Sequence, residues 1–486
     1  MPSPQEDASG VVVVGAGVAG MATTLLLARS GVDVTLVERD PAPPPDAPED
    51  ALGAWRRPGI PQRGNGHALH GLGLRVLRDR LPDVAQSLMD AGVTERRFYL
   101  AIPQGQRVAA DADFVALQLR RPVLDWALDR AVSCQRGARL LRGHSVVDLA
   151  ANGEGVGGVV LDDGRTLDAR WVIDATGHRR SLHRARMRLG LPAPHTLTQP
   201  APTFYYARHF RRRHPESTSE ETVAFGLTGD LGHLRFSVLR EDSDGFVVTI
   251  NTGAGQPPFP GLQDPAGWQA AAESLPGLAD IVVPYSATPI SGVYAYSGRG
   301  NVLTQEVASA AGLIAVGDSV CQTNPTQGWG ISLALKGATV VADALTHPGA
   351  GRAIMTNEIG AALVQLSRPF FEAASAEDRE RVAQGQGQHV DVRDPSSALY
   401  CRSVVYRLGS ADLALYRAAQ RRIHLLEDPR RLPQDRDLLN LAAALSDAAG
   451  ADTAPSSGGP TRPELERLVE SATSTSITHP TRGDDR

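Results

Sequence analysis

Lysine is nearly missing from this chain: Lys336 is the only one among 49 basic residues, and the rest are arginine. Lysine is thereby removed as a general catalytic resource. Cysteine is scarce too. Cys134, Cys321 and Cys401 are odd in number and widely spaced, which excludes a disulfide framework and fits a reducing compartment. There is no excess of positive charge, the formal net charge being -5, so neither nucleic acid nor an anionic membrane is an expected partner. No apolar run is long enough to span a bilayer, and no basic, apolar, small-residue signal precedes the first apolar segment. A cytoplasmic protein without a stable membrane anchor is expected. What remains is an ordinary globular composition: 486 residues, 42% hydrophobic and 21% charged, enough for two domains or one with a large insertion.

Two glycine-bearing turns carry most of the information. Gly15-Ala16-Gly17-Val18-Ala19-Gly20 follows the apolar run Val11 to Val14 and opens a helix-like stretch from Met21 to Ser30. Bare backbone can there approach a pyrophosphate at a helix N-terminus. Beyond Gly31, Val32 to Val37 reads as a second strand and Glu38 ends it, followed by Arg39. Glu38 lies about twenty residues past the glycines, where a carboxylate accepts hydrogen bonds from an adenosine ribose and argues against a 2′-phosphate. Far downstream come Gly317-Asp318-Ser319 and Pro325-Thr326-Gln327-Gly328-Trp329-Gly330. Together the turns describe two ends of one long cofactor.

Between them the pattern reads as an α/β chain, a Rossmann-like cofactor domain with an inserted antiparallel sheet and a helical C-terminal region. The boundaries are 10–196 for the first part of the cofactor domain, 197–300 for the sheet, 301–350 for its second part, 351–450 for the helical region and 451–486 for a disordered tail. Pro41 to Pro48 and Pro58-Gly59-Ile60-Pro61 make an extended excursion, and a helix is expected over His67 to Arg80. Pro122 to Gln135 is an amphipathic helix preceded by Arg120-Arg121. Leu140 to Leu149, Gly157 to Leu161 and Arg170 to Asp174 read as strands, the last running into Ala175-Thr176-Gly177. From Thr203 to Gly292 apolar and polar residues alternate, as in half-buried antiparallel strands. The chain returns through Gly312 to Asp318 into a helix over Ile331 to Leu345, and Arg402 to Leu426 is the clearest amphipathic piece beyond it.

These residues, in this order, resemble the flavin-dependent monooxygenases of the class A hydroxylase type, and among them the bacterial natural-product epoxidases and hydroxylases. The carriers are the Gly15 to Gly20 turn with Glu38, Gly59-Ile60-Pro61-Gln62 with His67, and Arg121-Pro122-Val123-Leu124-Asp125-Trp126. Asp174-Ala175-Thr176-Gly177 and Gly317-Asp318 with Pro325 to Gly330 complete them, over residues 10 to 430. The resemblance implies FAD. Gly15, Gly17 and Gly20 would approach its pyrophosphate, and Glu38 its ribose. Arg121 would meet phosphate or ribityl oxygens, and Asp318 the ribityl chain. The backbone of Gly328 to Ile331 would face the pyrimidine edge of the flavin ring. Relatives often carry a second histidine two positions before His67, where this chain has Asn65.

The implied activity is insertion of one oxygen atom from dioxygen, through a flavin hydroperoxide, into an apolar or aromatic natural-product intermediate. Phe204, Tyr205, Phe225, Phe236 and Tyr294 are candidates for an apolar pocket wall. Trp329 either stacks beside the flavin or fills the core, and His67 lines the flavin pocket. His67 and His70 stand one helical turn apart, yet no cluster completes a metal site and none is expected. Electrons would come from NAD(P)H, bound near Gly177 to Arg184 with Arg179, Arg180 and Arg184, or through a separate flavin reductase. Competing readings are a dehydrogenase or double-bond reductase of the geranylgeranyl-reductase type, a flavin halogenase, whose pocket lysine Lys336 does not match in position, and a non-catalytic flavin-binding protein.

Overall fold

The computed structural model describes residues 10–153, 155–213, 227–283, 286–305, 311–347, 351–448 and 458–478. Four consecutive valines, Val11–Val14, form a strand buried on both faces, which β-branched side chains tolerate and polar ones would not. It lies at the middle of a five-stranded parallel sheet in the order Leu313–Ala315, Trp171–Asp174, Val11–Val14, Val34–Glu38, Ala138–Arg142. The chain reverses its direction of strand addition at Val11–Val14, so the crevice beyond its carboxyl end is a topological switch point. The turns after Val14, Glu38, Asp174 and Val316 all lie at that end of the sheet.

The Val18–Arg29 helix packs against this sheet and against the Gly330–Thr346 helix. Its approach depends on Gly20, where a Cβ would sit 1.9 Å from the Gly15 carbonyl oxygen. The helix ends at Ser30, and Gly31 at φ 84° makes the left-handed reversal that only glycine adopts cheaply.

A seven-stranded antiparallel sheet forms the second layer. Its spine is the 18-residue strand His195–Arg212, flanked by Gly245–Thr252 and Tyr294–Gln305, with Leu234–Arg240, Thr228–Asp230, Cys321–Gln322 and Ala287–Pro289 outside them. Because Tyr294–Gln305 and Cys321–Gln322 pair with each other, this sheet is continuous with the return of the chain to the parallel sheet. Its outer face buries Phe210, Phe236 and Phe246 under the Pro265–Ser274 helix, whose Trp268 packs against Phe210.

The structure corrects several expectations. The segment expected to be helical from His67 begins as the strand Gly66–Leu69, paired with Val115–Arg120, and only Gly71–Arg80 is helix. His67 and His70 therefore do not share a helical face. Leu140 to Leu149 is two strands: Ala138–Arg142 in the parallel sheet and Val146–Asn152 in a small three-stranded one. Arg402 to Leu426 is also divided, into a π-helical turn Cys401–Val405 and a helix Leu413–Ile423 whose start is capped by Asp412. The tail expected to be disordered contains the helix Arg462–Thr478, which packs on Pro265–Ser274 and fully buries Leu465 and Val469. Its polar composition hid the stripe of buried apolar residues to which Leu465 and Val469 belong.

Candidate active site

A cavity of about 770 Å³ runs from the carboxyl ends of the parallel strands to the inner face of the antiparallel sheet. That volume is in the range of cofactor and ligand sites. Gly15, Ala16, Gly17, Val18, Ala19, Glu38 and Arg39 line one end; Asp318, Pro325, Gly328, Trp329, Gly330 and Ile331 line the other, with Arg121 and His67 between. The two turns singled out in the sequence thus face one space.

At the first end, Gly15 adopts φ 103° and passes so close to the Ala175 carbonyl that a Cβ would lie 2.6 Å from its oxygen. Gly17 has no atom near its missing Cβ, and it opens the Val18–Arg29 helix without a side-chain cap. The free amides of that helix start are an anion site. Gly20 and Gly317, expected as cofactor contacts, do not line the cavity. Gly20 allows helix and strand to touch, and Gly317, at φ 65°, abuts Ala19. Glu38 is buried and its carboxylate accepts from the amides of Ala16, at 2.7 Å, and Asp40, at 2.9 Å, and from Arg57 Nη2 at 2.9 Å. A carboxylate has about four acceptor positions, so one remains for a ribose hydroxyl.

Arg57 escaped the sequence reading. It is 3% exposed, donates to both Glu38 and the Ala16 carbonyl, and leaves Nη1 buried without a partner at the cavity wall. A guanidinium with an unspent donor beside an open helix start suits a pyrophosphate. Of the two adjacent arginines, Arg120 is tied by bidentate contacts to Asp242, at 2.5 and 2.8 Å, while Arg121, held by Asp125 at 2.9 Å, lines the cavity.

At the other end, the Gly330–Thr346 helix also starts without a side-chain cap, and Gly330 has open space where a Cβ would be. Gly328 takes φ 71°, and a Cβ there would lie 2.7 Å from His70 Nε2. Burial pushes the Asp318 carboxyl up, against the pull of Arg121 and Arg180. Burial, helped by Arg121, lowers His67 to about 4; burial, helped by Arg402, lowers His70 to about 4. Both rings are therefore neutral at pH 7. His67 Nδ1 meets the Asn65 carbonyl at 2.8 Å, while both amide atoms of the buried Asn65 side chain lack a partner. Trp329 turns its ring into a core with Leu72, Leu333, Phe370 and Leu425, so it braces the turn from behind.

The aromatic wall expected from the sheet is mostly elsewhere. Phe236 packs on the outer face, Phe204 sits against the same core, Tyr294 lies over Gly64, and Phe225 falls outside the described residues. Alternation revealed two faces but not which one met the cavity, and a one-residue choice inverts every side chain. The inner face presents Tyr205, Tyr296, Thr228, Ser237, Leu239, Thr249 and Asn251, a wall richer in hydroxyl groups than expected. Of the arginines considered for NAD(P)H, Arg179 and Arg184 are exposed, while Arg180 turns inward to Thr304 and the Asp318 carbonyl.

Behind the second turn stands a buried network that the sequence did not announce. Glu377, in the 34-residue helix Arg352–Gly385, accepts from Gln327 Nε2 at 3.0 Å, Arg381 at 3.1 Å, Arg402 at 3.4 Å and Arg422 at 2.6 Å. Its neighbour Asp378 accepts from Asn301 at 2.8 Å and Asn324 at 3.0 Å, and Asn324 in turn accepts from Tyr205. Two adjacent acids thus hold both ends of the turn Asn324 to Gln327.

Residues 10–133 match the model of the FAD dependent oxidoreductase family. The N-terminal region is thus similar to FAD-dependent oxidoreductases. The chain is 25% identical over 348 residues, 69% of its length and 68% of the relative's, to the ubiquinone hydroxylase UbiM of Neisseria meningitidis. Its fold matches p-nitrophenol 4-monooxygenase PnpA from Pseudomonas putida, with TM-score 0.57 and 16% identity over 86% of this chain and 97% of that one. It also matches a triple mutant of the flavin-dependent brominase Bmp2, with TM-score 0.59 and 15% identity over 90% and 99%. The architecture of a cofactor domain with inserted sheet and C-terminal helices is therefore shared with these flavin enzymes, and the similarity supports an enzyme of the FAD-dependent oxidoreductase type.

The residues present fit FAD. Two uncapped helix starts face one cavity, Gly17 and Gly330 leave backbone bare at each, and Arg57 keeps a donor unspent beside the first.

Proposed function

We propose that the protein is an FAD-dependent monooxygenase that inserts one oxygen atom from dioxygen, by hydroxylation or epoxidation, into a small organic natural-product intermediate. The observation that carries this reading is the single cavity in which both cofactor-gripping turns open directly onto the inner face of a large sheet. Bound FAD would supply the activation of dioxygen. The protein's part is to hold the ring by the Gly328 to Ile331 backbone, to place partial positive charge at a helix start, worth about 0.3–1 kcal/mol, and to exclude water. Neutral His67 and His70 add hydrogen-bonding surface without charge.

Electrons come from NAD(P)H, either directly at the exposed Arg179 and Arg184 or through a flavin reductase. The three cysteines are unpaired, in keeping with work in the cytoplasm, and no helix among the described residues is long and apolar enough to cross a membrane. Turnover under oxygen-18 gas with NADPH, with and without an added flavin reductase, tests the reading: one labelled oxygen atom in product supports it. Anaerobic turnover with hydride transfer to a double bond would favour a reductase, and a bromide- or chloride-dependent product would favour a halogenase, whose fold is shared.

A further inference from the structure

The C-terminal helices do more than buttress the cofactor turn, because they send polar groups into the same cavity. Arg402 and Tyr406 both line it, as does His70 from the opposite side. Arg402 stands on the π-helical turn Cys401–Val405, a rare geometry that often re-aims a side chain at a site. Its Nη2 is spent on Gln327 at 2.7 Å and its Nε reaches Glu377 at 3.4 Å, while Nη1 makes no hydrogen bond within the described residues. The Arg402 guanidinium lies 5.8 Å from the Tyr406 ring. Tyr406 accepts from Arg422 through its hydroxyl oxygen at 2.7 Å, so its own proton is left to donate. His70 has a buried Nδ1 without a partner and feels the charge of Arg402.

Charge points the same way. Among the described residues the ion pairs of Arg381, Arg402 and Arg422 go to Glu377 and Asp378, three cations against two acids, and Arg402 is the member turned to the cavity. Arg402 and Tyr406, each with a donor unspent, therefore share one cavity wall with neutral His70, whose ring Arg402 approaches closely enough to influence.

We infer that Arg402, Tyr406 and His70 form a subsite for a negatively charged oxygen, a carboxylate or phenolate, carried by the substrate. The guanidinium supplies the charge and the Tyr406 hydroxyl a second donor; neutral His70 completes the wall without adding charge. An oxyanion on the cofactor ring itself has the same chemistry, and the experiment separates the two sources. The assignment rests on the cavity being the substrate site of an FAD enzyme.

The test uses the full-length, FAD-loaded protein titrated with 1-naphthoate and with its neutral isostere 1-naphthamide, binding being read from the visible flavin spectrum. Wild type binds 1-naphthoate at least 10-fold more tightly; R402M abolishes that preference, R402K keeps part of it, and Y406F, which removes one hydroxyl and no charge, weakens it about 3-fold. FAD affinity and midpoint potential change less than the naphthoate affinity in all three. Equal binding of the two probes to wild type, no binding of naphthoate at millimolar concentration, or an unchanged preference in R402M would overturn the subsite. So would an R402M effect confined to FAD affinity or potential, which assigns the guanidinium to the cofactor. Retained naphthoate preference without incorporation of oxygen from dioxygen would sink the monooxygenase reading and leave the subsite standing.

Discussion

Replacing Glu377 by glutamine keeps its size and removes its charge, leaving the nearly fully buried Arg422 without its carboxylate and Arg381 with Asp378 alone. Breaking a buried ion pair from one side costs about 3–5 kcal/mol, far more than an exposed pair contributes. Burial alone would raise the Glu377 carboxyl, but Arg402, Arg422 and Arg381 hold it well below its ordinary value of 4.5. Its contribution to stability is therefore fully present above pH 4.5 and declines as pH falls below that value, by about 1.4 kcal/mol per unit. Urea unfolding followed by tryptophan fluorescence should show E377Q less stable than wild type by about 3–5 kcal/mol at pH 7.5, with the gap narrowed by about 1.4 kcal/mol at pH 3.5. Because Glu377 also holds Gln327, FAD affinity should fall with it. A loss below about 1 kcal/mol, or a gap indifferent to pH, would mean that the Glu377 charge does not hold this network together.

Two glycines one turn apart should fail in different ways. G17V places its side chain in open cavity space and is expected to fold normally but to lose FAD, by gel filtration and flavin absorbance. G20A drives a Cβ into the Gly15 carbonyl and should lower the melting temperature of the apoprotein as well. In the C-terminal helix, L465A should cost about 2–5 kcal/mol of stability in chemical denaturation, with FAD affinity unchanged, because Leu465 is fully buried far from the cavity. If L465A unfolds like wild type, the packing of that helix on Pro265–Ser274 is wrong.

The parts of the site legible in the sequence are those made by short-range backbone chemistry. Gly15, Gly17, Glu38, Asp318 and Pro325 to Ile331 each sit in a local strand-turn-helix signature, and all line one cavity. Arg57 was invisible because it lies in a proline-rich stretch without periodicity, and its partners Ala16 and Glu38 come from another segment. Glu377 and Asp378 were hidden for a related reason: they lie mid-helix and meet Gln327 and Asn324 only through the tertiary fold. The strand at His67 is four residues long and runs straight into a helix, too short for alternation to outweigh the helical period after it. Both faces of the large sheet are covered, one by helices and one by the cavity wall, so pattern alone could not say which side Phe236 took.

If the two turns grip opposite halves of one cofactor, neither half alone can bind as the whole does. Titrating apoprotein with FAD, FMN and ADP in parallel, by calorimetry, tests it most directly. The structure predicts one FAD per chain bound at least 100-fold more tightly than either fragment, with both fragments binding weakly. FMN binding as tightly as FAD, or no binding of FAD at all, would contradict it.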